Sequence, residues 1–362
     1  MPEPTTLAVV TTIQPPTQSM RALAGALTGH NGRLIVVGDK KGPASYELEG
    51  VDFWPLERQL TSGFRLASCL PVGHYGRKNV GYLAAISAGA VFIYETDDDN
   101  APLPGWRIRD QFVKAAKALQ RCDSDDGRWV NVYRYFTREN IWPRGLPLDE
   151  IGSAPALGLE DSEARWAPVQ QGLVNGSPDV DAIWRLTQDR PLEFDGCGSV
   201  YLGPGNWCPF NTQSTWWWPA AYPLMYVPSH CSFRMCDIWR GFVAQRCLWE
   251  LGAGLCFHGP EVVQDRNQHN LMRDFEDEIP GYHFNKGFGT LLKRLSLRPG
   301  PDEVTTNMRR CYEALVGDGR FPREELALVD AWLGDLAGRW SAVGSDGVDV
   351  RLPRTAPLSY DS

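Results

Sequence analysis

The chain has 362 residues, 43% of them hydrophobic and 22% charged, which excludes an intrinsically disordered chain, a collagen-like fibre and a coiled coil. Thirty-six Lys and Arg against 44 Asp and Glu leave a net charge of −8, so the global basic field that drives non-specific nucleic-acid binding is lacking. No apolar run approaches the roughly 20 residues of a membrane-spanning helix, and nine cysteines without CxxC spacing suggest neither a zinc cage nor a disulfide framework, so the expected setting is a reducing cytoplasm.

Residues 7–13 form a short β-branched run broken by Pro15-Pro16 and predict a buried strand. A helix is expected over 19–27, closed by Gly29. Residues 34–37 predict a second buried strand with residues 38–43 as its exit loop, and residues 51–53 a third. Tyr75-Gly76-Arg77-Lys78-Asn79 opens a helix in which Val80, Leu83, Ala84 and Ala88 mark one buried face. Residues 91–94 are the next strand, running into Glu95-Thr96-Asp97-Asp98-Asp99-Asn100. Such alternation implies a parallel sheet covered on both faces. Ligands of these sheets sit at the carboxyl ends of the strands, where the loops of Thr12 and Asp39 and the triple aspartate fall.

Adjacent carboxylates repel, and water or a hard divalent cation must relieve them. The triple aspartate therefore reads as a metal–diphosphate holder or as a solvated acidic turn. Arg77 and Lys78 at a helix start suit a diphosphate, or are an exposed basic pair. Trp142-Pro143-Arg144-Gly145-Leu146-Pro147 is a stiff loop on which Arg144 can grip phosphate or cap carbonyls. Residues 176–181 form a second acidic loop that binds sugar hydroxyls or caps a helix over 182–186. Asn211-Thr212-Gln213 offers amides to hydroxyls. Trp216-Trp217-Trp218 is either core packing or a stacking wall for a flat ligand. Asp237 lies near the start of a helix that runs to Trp249, a capping position. After an apparent strand over 255–258 comes a polar run, 264–270, whose His269 reads as structural. Two further helices are expected, one from Pro301 to Gly317 and one starting at Pro322. The stripe Leu326, Val329, Leu333 and Leu336 fits packing on the core or assembly into a homo-oligomer, and the last ~20 residues are expected to be loose.

In this order, several stretches resemble the STELLO family of glycosyltransferase-like proteins, and more distantly the reversibly glycosylated polypeptides, which act as UDP-arabinopyranose mutases. They are residues 77–83, Ile93-Tyr94 with Asp97-Asp98, residues 142–147 and 176–181, Phe210-Asn211-Thr212, residues 237–241 and Asp265-Arg266, spread over roughly 7–285. The resemblance implies an α/β, GT-A-like nucleotide-diphospho-sugar transferase fold with a mostly parallel central sheet flanked by helices. It implies a catalytic domain over 1–285, divided into a nucleotide-binding half (1–150) and an acceptor half (151–285), with a helical C-terminal extension over 286–362. It also implies Mn²⁺ or Mg²⁺, a nucleotide-diphospho-sugar donor, expected to be a UDP-sugar, and an acceptor that stays unnamed. Asp97 and Asp99 of the DXD-type motif are the implied metal ligands, joined by Asp265, which falls where the mutases carry a histidine near the metal. Thr12, Asp39, Arg77, Lys78, Asp97, Asp98 and Asn211 would bind the donor. Asp237 would face the acceptor as base or orienting group. Arg144 falls at the arginine that the mutases glycosylate, and is preferred here as a clamp on the departing diphosphate. Glu95 stands where STELLO proteins have aspartate, and Cys236 where the mutases have a second aspartate. The expected activity is a metal-dependent glycosyltransferase; the alternatives are a pyranose/furanose mutase acting through Arg144 and a non-catalytic nucleotide-sugar-binding protein.

Overall fold

A computed structural model describes residues 6–114, 117–158, 164–196, 198–266 and 270–339. Strand β1 (Leu7–Thr11) is followed by helix α1 (Gln18–Thr28), whose start is capped by the Thr17 hydroxyl accepting from the Met20 N–H. Met20, Leu23, Ala24 and Leu27 form its buried face. Strand β2 (Arg33–Val37) pairs parallel to β1, and β3 (Val51–Trp54) parallel to β2. Two short helices, α2 (Leu56–Leu60) and α3 (Arg65–Cys69), lead through a 3-10 turn at Tyr75–Arg77 into α4 (Lys78–Ser87). The sequence predicts one buried face for α4, but residues 78–86 are buried all round. Gly81 permits this: a Cβ there would lie 2.6 Å from the side chains of Val9 and Val37.

Strand β4 (Ile93–Thr96) begins two residues later than the apolar run suggests, where Ile93 pairs with Leu7 of β1, and it runs on past the apolar residues because Glu95 pairs with Val9. Asp97 is thus the first residue past the strand. Then come β5 (Asn100–Pro102), β6 (Phe112–Val113), β7 (Lys117–Leu119), β8 (Arg128–Trp129), β9 (Arg165–Trp166), β10 (Val169–Asn175), α5 (Ala182–Thr187), β11 (Ser199–Leu202), β12 (Asn206–Trp207) and β13 (Ser214–Trp217). Helix α6 (Cys236–Glu250), strand β14 (Leu255–Gln264) and helices α7 (Leu271–Lys293), α8 (Val304–Gly317) and α9 (Glu324–Leu336) complete the order.

Ten strands make one mixed, mostly parallel sheet in the order β3-β2-β1-β4-β13-β10-β14-β11-β7, with β5 on the end of β14. Strand β13 runs against both β4 and β10, and β10 runs with β14. The carboxyl ends of β1, β2, β4, β10 and β14 therefore meet along one edge, the place expected for a ligand. Alternate residues divide the core: Leu7, Val9, Ile35 and Val37 face α4 and the C-terminal helices, while Ala8, Val10, Leu34 and Val36 face α1.

The tryptophan run belongs to this core. Trp216 and Trp217 are fully buried on opposite faces of the sheet, Trp216 with its ring centroid 4.5 Å from that of Tyr94. No stacking wall is formed. Glu95 is also internal, held by Arg240 at 2.8 Å and by the Trp217 indole N–H at 2.8 Å.

Helices α8 and α9 share the larger buried cluster with the sheet through Met308, Cys311, Val329 and Trp332. The Trp332 indole donates to the Pro223 carbonyl at 2.8 Å. Of the expected α9 stripe, Val329 and Leu336 are buried and Leu326 and Leu333 pack half-buried against the same cluster. The terminal stretch expected to be loose lies outside the described residues from 340 onward. Among the described residues, no helix is long and apolar enough to cross a membrane.

Asp335 of α9 accepts from the Arg65 and Leu66 N–H groups at 2.9 and 2.8 Å, capping the start of α3. Asp335→Ala is expected to cost about 1–2 kcal/mol, the value of a lost cap with buried partners. Urea unfolding measures it, and an unchanged midpoint would show that the contact does not dock α9.

Candidate functional site

A cavity of about 680 Å³ opens along the shared carboxyl edge. Its lining comes from the loops after β1 (Thr12), β2 (Asp39), β4 (Asp97, Asp98, Asp99) and β10 (Asp179), from the end of β14 (Gln264), from the first turn of α6 (Asp237), and from Arg144. Of the residues singled out in the sequence, Thr12, Asp39, Asp97, Asp98, Asp99, Arg144 and Asp237 are brought together here. Arg77, Lys78, Asn211 and Asp265 do not line it.

The acidic loop is held from below. Asp97 Oδ1 accepts from the Tyr75 hydroxyl at 2.7 Å and from Lys78 Nζ at 3.0 Å. Lys78 also donates to the Tyr75 oxygen at 2.8 Å and to the Thr96 carbonyl at 2.7 Å. An ammonium has three N–H bonds, so Lys78 has none left for a diphosphate; it fixes Asp97. Asp98 accepts from the Thr12 hydroxyl, and burial raises its pKa. Asp99 Oδ2 accepts from Gln264 Nε2 at 3.0 Å, whereas Asp99 Oδ1 is buried without a partner. Burial, with the charge of Asp97 adding to it, pushes the Asp99 carboxyl up to about 6.

A cation would satisfy an orphaned buried carboxylate oxygen two residues from a second carboxylate, as a proton on Asp99 would. A hard divalent ion suits it, because Mg²⁺ and its like bind through one or two carboxylates plus substrate phosphates. Among the described residues, no three His, Cys, Asp or Glu side chains converge on one point. Asp97 and Asp99 would therefore share the ion with substrate oxygens rather than with a third side chain. Asp265, the further ligand the resemblance implies, is exposed and does not line the cavity, although its backbone N–H donates to the Asp99 carbonyl at 3.3 Å. The alternation that turns Gln264 and Arg266 inward turns Asp265 away.

Arg77 faces the other way. It is fully buried, with Nε on Gln59 Oε1 at 2.8 Å and Nη1 on the Ala67 carbonyl at 2.9 Å. Gln59 in turn donates to the Gly38 carbonyl at 2.7 Å, so Arg77 braces the loop that carries Asp39 instead of meeting a ligand.

Arg144 sits between two carboxylates. Nε and Nη2 grip Asp179 at 2.7 and 2.8 Å; Nη1 and Nη2 grip Asp237 at 3.0 and 2.9 Å; Nη1 also donates to the Arg234 carbonyl. All five guanidinium N–H bonds are thereby committed, which leaves none to clamp a phosphate. Burial works against the charged guanidinium, but Asp179 and Asp237 overcome it and hold its pKa well above the ordinary value. Burial likewise opposes the Asp179 carboxylate, and Arg144 reverses the effect, lowering its pKa. The loop geometry depends on Gly145, whose φ of 90° lies in the region glycine alone enters freely and whose missing Cβ leaves room for Ile238. Asn211 stands behind this group, donating to Asp179 Oδ2 at 2.8 Å. It positions a carboxylate and has no face on the cavity.

Sequence reasoning passed over His74, Arg185 and Arg234, which also line the cavity. None stands in a local pattern that would single it out.

No family model matches the chain. It is 29% identical, over 98% of its length, to a protein of Arabidopsis thaliana named probable glycosyltransferase STELLO1. It is 28% identical, over 91% of its length, to probable glycosyltransferase STELLO2 of the same plant. The chain spans less than half the length of either relative, 46% and 44%. Along nearly its whole length, the chain is STELLO-like in sequence.

Proposed function

We propose that the protein is a metal-dependent glycosyltransferase using a nucleotide-diphospho-sugar, with a UDP-sugar as the first donor to test. The observation that carries this is the partnerless, buried Asp99 Oδ1 beside Asp97 at the carboxyl edge of the sheet. The likeness to two proteins named probable glycosyltransferases supports it.

A divalent cation held by Asp97 and Asp99 would neutralise charge developing on the departing diphosphate. Tyr75 and Lys78 hold Asp97 in place for that task, and Thr12 holds Asp98. Transfer passes through a sugar with oxocarbenium character. The Asp179 carboxylate, held charged by Arg144, suits stabilising that positive charge, and Asp237 would orient the acceptor hydroxyl. Arg144 then acts by preorganising both carboxylates. A glycosyl-Arg144 adduct, as the mutase reading needs, would require a guanidinium that is neither protonated nor fully hydrogen-bonded; no observation favours that reading.

Incubation with a panel of nucleotide-sugars tests the proposal: hydrolysis should appear for at least one donor with Mn²⁺ and vanish in chelator. Turnover that persists in chelator contradicts the metal assignment. Stabilisation by UDP and Mn²⁺ without any turnover would instead mark a binding protein.

Metal affinity should also depend on pH. With Asp99 near 6, a proton must leave before the metal binds, so Mn²⁺ affinity should be flat above about pH 7 and fall by up to about tenfold per unit below 6. Calorimetric titration at pH 7.5, 6 and 5 measures this. A constant affinity would exclude Asp99 as a ligand.

A further inference from the structure

The cavity has a second, basic wall that the proposed chemistry does not use. Arg185 on α5, Arg234 just before α6 and Arg266 just after β14 all line it. They come from the second half of the chain, whereas Thr12, Asp39, Asp97, Asp98 and Asp99 come from the first. Arg185 is only 5% exposed, yet its Nε is buried without a partner. Its Nη2 donates to the Pro178 carbonyl at 2.6 Å, its Nη1 lies 3.5 Å from the exposed Asp189, and its guanidinium packs 5.6 Å from the centre of the Trp184 ring. Arg234 rests on Glu278 at 2.8 Å, and Arg266 on Asp274 at 2.9 Å.

Burial, and then the charge of Arg266, lowers the pKa of Arg185; burial, and then the charge of Arg234, lowers that of Arg266. Arg266 therefore sits close enough to both Arg185 and Arg234 for their like charges to oppose. The contrast with Arg144 is direct. Arg144 is fully satisfied by two carboxylates and a backbone carbonyl, while the buried Nε of Arg185 has no partner. Guanidinium groups meet oxyanions through paired N–H bonds, and such a group would both accept from the Arg185 Nε–H and relieve the repulsion at Arg266.

We propose that Arg185, Arg234 and Arg266 form an oxyanion-binding end of the cavity, where the second substrate docks through a phosphate or carboxylate group. The proposal rests on the transferase reading for its meaning, since it gives the acceptor a chemical class. The arginines bind and orient; they are not catalytic residues.

The test titrates inorganic phosphate, and separately acetate, into the full chain loaded with UDP and Mn²⁺. Saturable binding of at least one anion is expected, weakened at least tenfold in Arg185→Gln and in Arg266→Gln, with UDP affinity within twofold of the parent. Tighter phosphate indicates a phosphorylated acceptor, and tighter acetate a carboxylate. Should Arg185→Gln melt early, Arg185→Lys keeps the charge and removes the Nε, and is expected to lose binding as well. No saturable binding of either anion, undiminished binding in these variants, or competition between the anion and UDP would overturn the proposal. If UDP does not bind but arginine-dependent anion binding persists in the unloaded protein, the transferase reading falls and the oxyanion site stands.

Discussion

Asp99→Ala is expected to lower metal-dependent hydrolysis of the sugar donor by at least about a hundredfold, the usual scale for losing a group that stabilises charge in the transition state. The same variant should unfold at an equal or higher temperature at pH 7. Its carboxyl is raised by burial from the ordinary range to about 6. The native state thus holds that proton more tightly than the unfolded chain does. Stability is lost as pH rises through the window between the ordinary carboxylate value and 6, and the loss is complete above it. Removing the carboxyl removes that penalty. Activity and stability are therefore predicted to move in opposite directions, as they do where a site is held strained for function. A variant that loses both together would make Asp99 a structural residue.

Arg144→Met is expected to destabilise the fold by about 3–5 kcal/mol, the range for stranding one side of a buried ion pair. Asp179 and Asp237 are both buried, and both depend on the same guanidinium. Arg144→Lys should recover only part of this, because one ammonium cannot reproduce two paired contacts made by a planar fork. Urea unfolding of the two variants gives the ranking. If Arg144→Lys were as stable as the parent, the guanidinium would not be the clamp described, and intact-mass measurement with UDP-sugars would then be the place to look for a glycosyl-arginine.

The first half of the fold was legible because short β-branched strands alternate with helices, and that pattern has few solutions. Knowing that ligands gather at carboxyl ends was enough to place Thr12, Asp39 and the three aspartates around one cavity. Side-chain direction was not legible in the same way. Arg77 and Lys78 are neighbours at a helix start, roughly 100° apart around its axis; one meets Asp97 and the other turns inward to Gln59. Asp265 shows the same one-residue logic in an extended segment: Gln264 and Arg266 line the cavity and Asp265 between them does not.

Long-range pairing was invisible for a different reason. Arg144 meets partners 35 and 93 residues away, and a local motif shows a stiff arginine without showing that its donors are already taken. Helix α7 was missed because its buried positions are Asp274, Glu278, Gly281, Asn285, Phe288, Gly289 and Leu292, with Pro280 inside it. These residues make no apolar stripe. The tryptophan run was ambiguous in sequence because aromatic rings serve cores and sugar sites alike; strand pairing on both sides of β13 settled it as core.

Crystals grown with UDP and Mn²⁺, with data collected at the manganese absorption edge, show whether Asp97 and Asp99 hold a divalent cation against a nucleoside diphosphate. The anomalous peak should lie within bonding distance of Asp97 and Asp99 Oδ1 and of oxygens from the UDP phosphates. UDP bound with no manganese peak there, or a peak to which Asp99 contributes no oxygen, would contradict the account.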